Sequence, residues 1–228
     1  MRHPLTLLTR EVPAIDLRYD NVCLLLQDLH APFSDGEEGW LARHARNKVL
    51  GREFDEYFDG LSLIAPCVSD LLNRVRELGL PVVYSCLGYK PPDTPSRFQT
   101  ATGWHWNLDG TDGMFRTEWR PRSGESVFAK PGWGALANPA FEVYLRSNHI
   151  QYVIIAGVPF EFGIRQTSQE LADRGIGVLI VSDAVASITK TGQSYSSGSM
   201  AHGLIKLRTT GELLDLLNIL QEQGSVLI

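Results

Sequence analysis

Residues 153–163, VIIAGVPFEFG, decide the fold of this chain. The first four of them form a continuous apolar run, which is typical of a strand buried on both faces of a sheet. The chain then turns, and a helix is predicted to begin at Gly163 and to close at Gly175. Open α/β folds place a nucleophile or bind a ligand at such strand–turn–helix junctions, yet residue 163 has no side chain.

Short apolar runs on both sides of this junction predict further strands. The predicted strands cover 21–27, 81–85, 127–130, 152–156 and 177–182. The predicted helices run from Pro66 to Gly79, over 138–147, weakly over 40–58, and over 211–221 with Thr210 as the cap, while 191–199 is predicted as a loop into a short helix. Strands that alternate with helices predict an α/β fold with a parallel sheet and right-handed crossovers. The irregular stretch 87–125 is long enough to indicate a segment that covers a site.

The composition indicates one α/β domain, residues 20–228, after an N-terminal arm of residues 1–19. The net charge of −5, with both signs interspersed, gives no footprint for nucleic acid. No apolar run reaches the roughly 20 residues of a membrane span, and the first residues lack a secretory signal. The three cysteines have no short spacing, which disfavours a disulfide framework or a zinc site. A cytoplasmic protein with neither a nucleic-acid nor a membrane partner is therefore predicted.

Two charged residues lie where predicted strands end. Asp28 directly follows the first apolar run, and Lys130 ends the third predicted strand. A carboxylate after a strand often only caps a helix or anchors a loop, and a single lysine is usually solvated. Because the carboxyl ends of parallel strands meet at one edge of the sheet, Asp28, Lys130 and Gly163 are predicted to converge there.

Five motifs in the same order resemble those of the isochorismatase-like hydrolases, a superfamily that also contains nicotinamidases and other cysteine amidohydrolases. Asp28 in LLLQDLHAPF matches the catalytic acid of a strand-Asp-hydrophobic-Gln motif, and Lys130 in VFAKPGWGAL matches the catalytic lysine. The segment IIAGVPFEFGIRQTSQELADRG resembles the nucleophile turn and its helix, and SDAVAS and MAHGLIKLRTTGELL resemble two later motifs. The resemblance covers about residues 20–217. It implies a single-domain, three-layer α/β/α fold with a six-stranded, mostly parallel, Rossmann-like sheet, and a homo-oligomer such as a dimer or tetramer.

The resemblance implies an active site that lacks its usual nucleophile. In the cysteine amidases of the superfamily an Asp, a Lys and a Cys form a triad, and Gly163 stands where the Cys would be. Pro159 follows a bond that is typically cis in the family, and proline has no N–H to offer to an oxyanion. Isochorismatases resemble this chain in having Gly there, and they hydrolyse an enol ether with the Asp as general acid. The glycine is expected to leave room for water or a substrate oxygen at the start of the helix.

The chain also departs from two patterns of the superfamily. Leu87 stands where isochorismatases have Gln, and Pro159-Phe160-Glu161 replaces their Tyr-Ala-His turn. The region 86–89 lacks the Asp-x-His metal ligands of nicotinamidases. The substrate is therefore expected to be neither isochorismate nor nicotinamide, and no metal and no cofactor are predicted.

Four residues near the predicted site have two interpretations each. Glu161 is either a second acid or base that activates water, or a group that faces away and bonds backbone or a partner subunit. Phe33, Trp133 and Phe160 either form the wall for an aromatic or cyclic ligand or belong to the core. The substrate-binding prediction comprises these three aromatic residues together with Pro159 and Gly163.

Residues of the long loop, the second strand and the last motif also have interpretations. Residues 104–106, Trp-His-Trp, either close over the site as a lid or contact another subunit. Cys86 ends the second predicted strand and is interpreted as core or pocket wall rather than as a nucleophile. His202 matches a family helix position and is interpreted as structural.

The sequence thus predicts an isochorismatase-like small-molecule hydrolase of secondary metabolism that lacks the cysteine nucleophile. Asp28 and Lys130, with Glu161 as a further catalytic candidate, are predicted to hydrolyse an enol ether or a C–N bond in a small anionic or cyclic metabolite. One alternative is an isomerase or lyase that uses the same Asp/Lys pair. Another is a non-catalytic binding or interaction protein on a disused hydrolase scaffold, with a closed or partner-filled pocket.

Overall fold

A parallel sheet of six strands runs through the part of the protein that the computed structural model describes, residues 14–46, 54–200 and 203–228. The sheet contains β2 (Val22–Gln27), β3 (Val82–Leu87), β4 (Ser126–Lys130), β5 (Tyr152–Gly157), β6 (Gly177–Val185) and β7 (Ile205–Arg208). Two further strands, β1 (Asp16–Arg18) and β8 (Ser225–Leu227), lie outside it. The sheet has the order β4-β3-β2-β5-β6-β7, and all its neighbours are parallel. β2, which is fully buried, lies at its centre, because its VCLLLQ run has apolar residues for both faces.

Helices cover both faces of this sheet. They are α1 (Ala31–Ser34), α2 (Trp40–Arg46), α3 (Asp55–Glu77), α4 (Arg97–Thr102), α5 (Pro139–Ser147), α6 (Arg165–Asp173), α7 (Lys190–Met200) and α8 (Thr210–Gln223). The buried leucines of α3 and α8 pack with Leu24 and Leu26 of β2, whereas α5 and α6 pack with Leu25 on the opposite face. The predicted three-layer α/β/α architecture with a six-stranded parallel sheet is confirmed. Within the described ranges, no helix combines the length and the apolar character needed to span a membrane.

The described part of the predicted N-terminal arm is tied to the end of the chain. β1 pairs with β8 in an antiparallel ribbon that aligns Asp16 with Leu227, and Ile15 N–H donates to the Ile228 carbonyl at 3.0 Å. Residues 1–13 of the arm lie outside the described residues, as do 47–53 and the pair 201–202 with His202.

Several predicted boundaries are wrong for identifiable reasons. α3 begins at Asp55 and contains Pro66, because its buried face already includes Tyr57 and Leu61 before the proline. Thr209 caps α8 through a capping box, whereas the Thr210 N–H and hydroxyl donate to Asp183 at 2.7 and 2.8 Å.

Two stretches are more regular than the sequence indicated. The polar residues of α7 form a helix over the whole region that was predicted mainly as loop. The stretch 87–125 contains α4 and two short 3₁₀ turns, Thr111–Gly113 and Thr117–Trp119.

The helix predicted from Gly163 instead begins at Arg165, because a π turn over Phe160–Ile164 comes first.

Candidate active site

Asp28 and Lys130 form an ion pair at the carboxyl edge of the sheet. Asp28 Oδ2 and Lys130 Nζ are 2.7 Å apart, and neither side chain is exposed. β3 separates their two strands, and its last residue, Leu87, lies beside Lys130 and donates its N–H to Asp28 Oδ1 at 2.7 Å. The structure therefore brings these two predicted residues into direct contact.

The backbone of Asp28 is unusual, since its φ of 54° lies in the left-handed region. Asp and Asn are the non-glycine residues that tolerate this conformation best. Burial raises the pKa of the Asp28 carboxyl above its ordinary value, although Lys130, the Leu87 N–H and Gln27 all act to lower it. Burial thus favours the protonated form of this carboxyl, whereas the contact with Lys130 favours its ionised form.

Gly163 lies against this pair, inside the π turn that leads into α6. A Cβ atom on Gly163 would lie 3.1 Å from Asp28 Oδ2 and only 2.3 Å from Gln27 Nε2. The expected empty space next to Gly163 is therefore occupied by the amide of Gln27. Sequence reasoning missed Gln27, whose signal was a polar residue at the end of a fully buried apolar strand.

Gln27 belongs to a buried hydrogen-bond network around the ion pair. Its Oε1 accepts from the Thr167 hydroxyl at 2.8 Å, and that hydroxyl accepts from the Ala135 N–H at 2.9 Å. The Trp133 carbonyl accepts from Lys130 Nζ at 2.6 Å and from Gln27 Nε2 at 3.4 Å. These contacts satisfy polar groups that would be costly to bury alone, and they hold the segment after β4 onto the site.

His30 is a second residue of the site that sequence reasoning missed. Its ring is fully buried, its Nε2 lies 3.0 Å from the Leu87 carbonyl, and its Nδ1 has no partner among the described residues. Burial lowers the pKa of His30 to about 3, so the ring is neutral at physiological pH. The signal in the sequence was a histidine two residues after the acid, where the resembling motif has Gln.

A cluster of aromatic side chains lies beside the ion pair, where Lys130 Nζ is 6.0 Å from the centroid of the Trp133 ring. The ring of Trp133 lies 5.0 Å from the rings of both Trp104 and Phe162, and that of Trp106 lies 5.2 Å from Phe33, measured between centroids. The stretch 87–125 thus brings Trp104 and Trp106 to the predicted aromatic residues Trp133 and Phe33. We call Phe33, Trp104, Trp106, Trp133 and Phe162 the aromatic cover.

Two predicted site residues lie elsewhere. Phe160 is fully buried in the core on the opposite face of the sheet, so its ring is not part of the aromatic cover. Glu161 turns towards the connection between β6 and α7, where its Oε1 accepts from the Ile188 N–H at 2.7 Å and lies against Gly192. The structure does not bring Glu161 into contact with Asp28 or Lys130.

The turn before Gly163 and the nearest cysteine have the predicted positions. The Val158–Pro159 bond is cis, and the Pro159 carbonyl accepts from the Ile164 N–H at 3.2 Å. Cys86 is buried in the core cluster, and its burial raises the pKa of the thiol well above the ordinary value, which is opposite to the shift of a nucleophilic cysteine. In the described parts of the chain, no three His, Cys, Asp or Glu side chains come together as metal ligands could.

The sheet, the acid–lysine pair at its carboxyl edge and the turn at Gly163 define a three-layer α/β protein with a buried charged site where the strands end. A family model described as the isochorismatase domain matches residues 43–212. The chain therefore belongs to the isochorismatase family. The matched range contains Lys130 and Gly163 but begins after Asp28, whose place in the site depends on its contact with Lys130.

Solved structures with this fold are similar over nearly their whole length. A cysteine hydrolase from Pseudomonas syringae pv. phaseolicola has a TM-score of 0.74 at 14% identity, with 92% of this chain and 98% of that chain covered. An isochorismatase family protein from Desulfovibrio vulgaris gives 0.69 at 18% identity, with 89% and 100% covered. The N-carbamoylsarcosine amidase of Thermoplasma acidophilum gives 0.60 at 19% identity, with 84% and 98% covered. At these identities the likeness establishes the fold.

Proposed function

We propose that this member of the isochorismatase family is a small-molecule hydrolase that works without a cysteine nucleophile, with Asp28 as its general acid. The observation that carries the proposal is the buried contact of 2.7 Å between Asp28 and Lys130 beside the side-chain-free Gly163. Burial that raises the pKa of Asp28 supports the same role, because a general acid must hold its proton until the substrate is bound. The proposed substrate contains an enol ether or a C–N bond.

For an enol ether, each proton and bond can be followed. The Asp28 carboxyl gives its proton to the vinyl carbon, and the adjacent carbon becomes an oxocarbenium ion. Water adds to this cation and returns a proton to Asp28, which yields a hemiketal. The hemiketal then breaks its C–O bond and releases an alcohol and a carbonyl compound. No side chain at residue 163 takes part in these steps, which agrees with a glycine at that position.

A second candidate function is favoured by one observation, the complete burial of Asp28 and Lys130 beside the aromatic cover. A non-catalytic binding or interaction protein on the hydrolase scaffold would have no need for an open path to this pair. A hydrolase, by contrast, requires part of the aromatic cover to move before substrate and water can enter.

The Asp28→Asn variant is expected to lose hydrolysis by roughly 10²- to 10⁴-fold, because the amide cannot donate the proton. Mass spectrometry of metabolite extracts treated with the wild-type protein should show the loss of one compound and the appearance of two products whose masses add up to that compound plus water. Asp215→Asn, an exposed aspartate on α8, is the matched control and should retain full turnover. Full turnover by Asp28→Asn would rule out the proposed acid, and an unchanged extract would favour the binding protein.

The Glu161→Gln variant is expected to retain turnover within a few-fold of the wild-type rate. The Glu161 carboxylate accepts the Ile188 N–H, and the oxygen of a glutamine can accept the same hydrogen bond. Initial rates on the substrate found above would measure this. A loss of about 100-fold in a folded variant would instead make Glu161 a second acid or base of the reaction.

A further inference from the structure

A cleft with a volume of about 710 Å³ lies apart from the acid–lysine pair. It is bounded by the first half of α3, the end of β6 and the connection from β6 to the start of α7, and we call it the α3–α7 cleft. Neither Asp28 nor Lys130 lines it, and β5 separates β6 from β2 in the sheet. The volume is within the usual range of small-molecule sites, so the cleft has room for a ligand of its own.

Two polar side chains that line the α3–α7 cleft have a buried oxygen without a hydrogen-bond partner in the described part of the chain. One is the hydroxyl of Ser187, a residue that is only 5% exposed. The other is Gln193 Oε1, which is left without a donor because Nε2 of the same amide donates to the Val185 carbonyl at 3.2 Å. A buried oxygen without a partner is costly. A ligand that brings N–H donors into the cleft would remove this cost.

The α3–α7 cleft combines an excess of negative charge with an apolar wall. The charged residues among its described lining are three carboxylates and one lysine, namely Glu56, Asp59, Asp183 and Lys190. The wall includes the buried Ile64 and the side chain of Leu63, which is 76% exposed. In the described ranges, the acidic side chains are not grouped as metal ligands are. The charge therefore favours an organic cation, and the wall favours one with an apolar body.

We propose that the α3–α7 cleft binds a primary ammonium group carried on an apolar body. The ammonium donates to the Ser187 hydroxyl and to Gln193 Oε1, and the apolar body packs on Leu63. An ammonium has three donors and no acceptor, which suits a cleft whose buried oxygens lack donors. This ligand site is separate from the acid–lysine pair and does not depend on the proposed hydrolysis.

Cys67 lines the α3–α7 cleft and serves as the reporter of ligand binding in the full-length protein. The other two cysteines, Cys23 and Cys86, are buried, and burial raises the pKa of both thiols, so iodoacetamide should alkylate Cys67 first. The probe is 2-phenylethylamine at neutral pH, with 2-phenylethanol as its neutral counterpart. The amine should slow the alkylation of Cys67 at concentrations at least tenfold lower than the alcohol requires. Mass spectrometry of the Cys67 peptide measures the rate.

The Ser187→Ala variant should weaken protection by the amine roughly tenfold, because a hydrogen bond to a charged donor is lost. Ser168→Ala is the matched control, since the Ser168 hydroxyl is also buried and unpartnered in the described chain but lies on α6, outside the cleft. It should leave protection unchanged. Asp28→Asn should leave it unchanged as well, because the acid of the proposed reaction takes no part in this site.

Three results with the amine would overturn the ammonium site. They are no protection of Cys67 at millimolar concentration, equal protection by the amine and the alcohol, and unaltered protection in Ser187→Ala. Loss of protection in Asp28→Asn would place the amine at the acid–lysine pair and would also overturn it. Alkylation of Cys67 that slows as the protein concentration rises, with no amine present, would show instead that a second copy of the chain covers the cleft.

Discussion

Gly163→Ala is expected to destabilise the protein by about 1–3 kcal/mol, the usual range for overpacking a buried site. The added methyl group would lie 2.3 Å from Gln27 Nε2 and 3.1 Å from Asp28 Oδ2. The end of a glutamine can often move aside, but here the Gln27 amide is fully buried and held by Thr167 and the Trp133 carbonyl. Urea unfolding of the two proteins, compared at the same pH, measures the difference in the free energy of unfolding.

The same crowding predicts that a second substitution rescues the first. Gln27→Ala removes the amide that the new methyl group would meet, so the double variant should be more stable than the sum of the two single effects, by about 1–2 kcal/mol. Gly198→Ala is the matched control, because its Cβ meets nothing within 4 Å in α7. That change should stabilise by about 0.5–1 kcal/mol, as alanine does in an open helix position. Additive effects at residues 27 and 163 would contradict the contact.

His30 is expected to make the protein sensitive to acid. In the unfolded chain its pKa is close to the ordinary 6.5, and in the fold burial lowers it to about 3. Between these two values the unfolded state binds a proton that the folded state does not bind. The free energy of unfolding therefore decreases as the pH falls from about 6.5 towards 3. The loss from this residue is on the order of 3 kcal/mol between pH 6.5 and 4.

Other buried groups face His30, so the measurement must compare two proteins. Asp28 acts in the opposite direction, because its raised pKa means that acid relieves the cost of burying its charge. Subtracting the pH profile of His30→Gln from that of the wild type isolates the histidine, and glutamine is the residue of the resembling motif. His105→Gln, an exposed histidine, is the control and should leave the profile unchanged. Parallel profiles for wild type and His30→Gln would show that His30 titrates normally in the fold.

The sheet and the acid–lysine pair could be predicted from the sequence because both depend on short patterns. Strands such as β2 and β5 are continuous apolar runs, and a parallel sheet brings their carboxyl ends to one edge whatever the packing. Asp28 directly follows such a run and Lys130 ends another, so the order of the strands brings the two residues together.

The contents of the site could not be predicted in the same way. The amide of Gln27 occupies the space beside Gly163 because two segments 136 positions apart pack side chain against backbone, and no local pattern encodes that fit. The direction of Glu161 depends on the π turn, which rotates the residues before α6 away from an ordinary helical start. Proline usually favours the first turn of a helix, but at Pro66 the continuous buried face of α3 overrides that preference.

The left-handed backbone of Asp28 narrows the residues that this position can accept. Glycine, asparagine and aspartate tolerate a φ of 54°, whereas glutamate would supply a carboxyl group at a cost in backbone strain. Of the three tolerated residues, only aspartate also offers an acid. A change of Asp28 to asparagine or glycine therefore avoids backbone strain at this position but leaves the buried Lys130 without its carboxylate partner, so the ion pair restricts the position further than the backbone does.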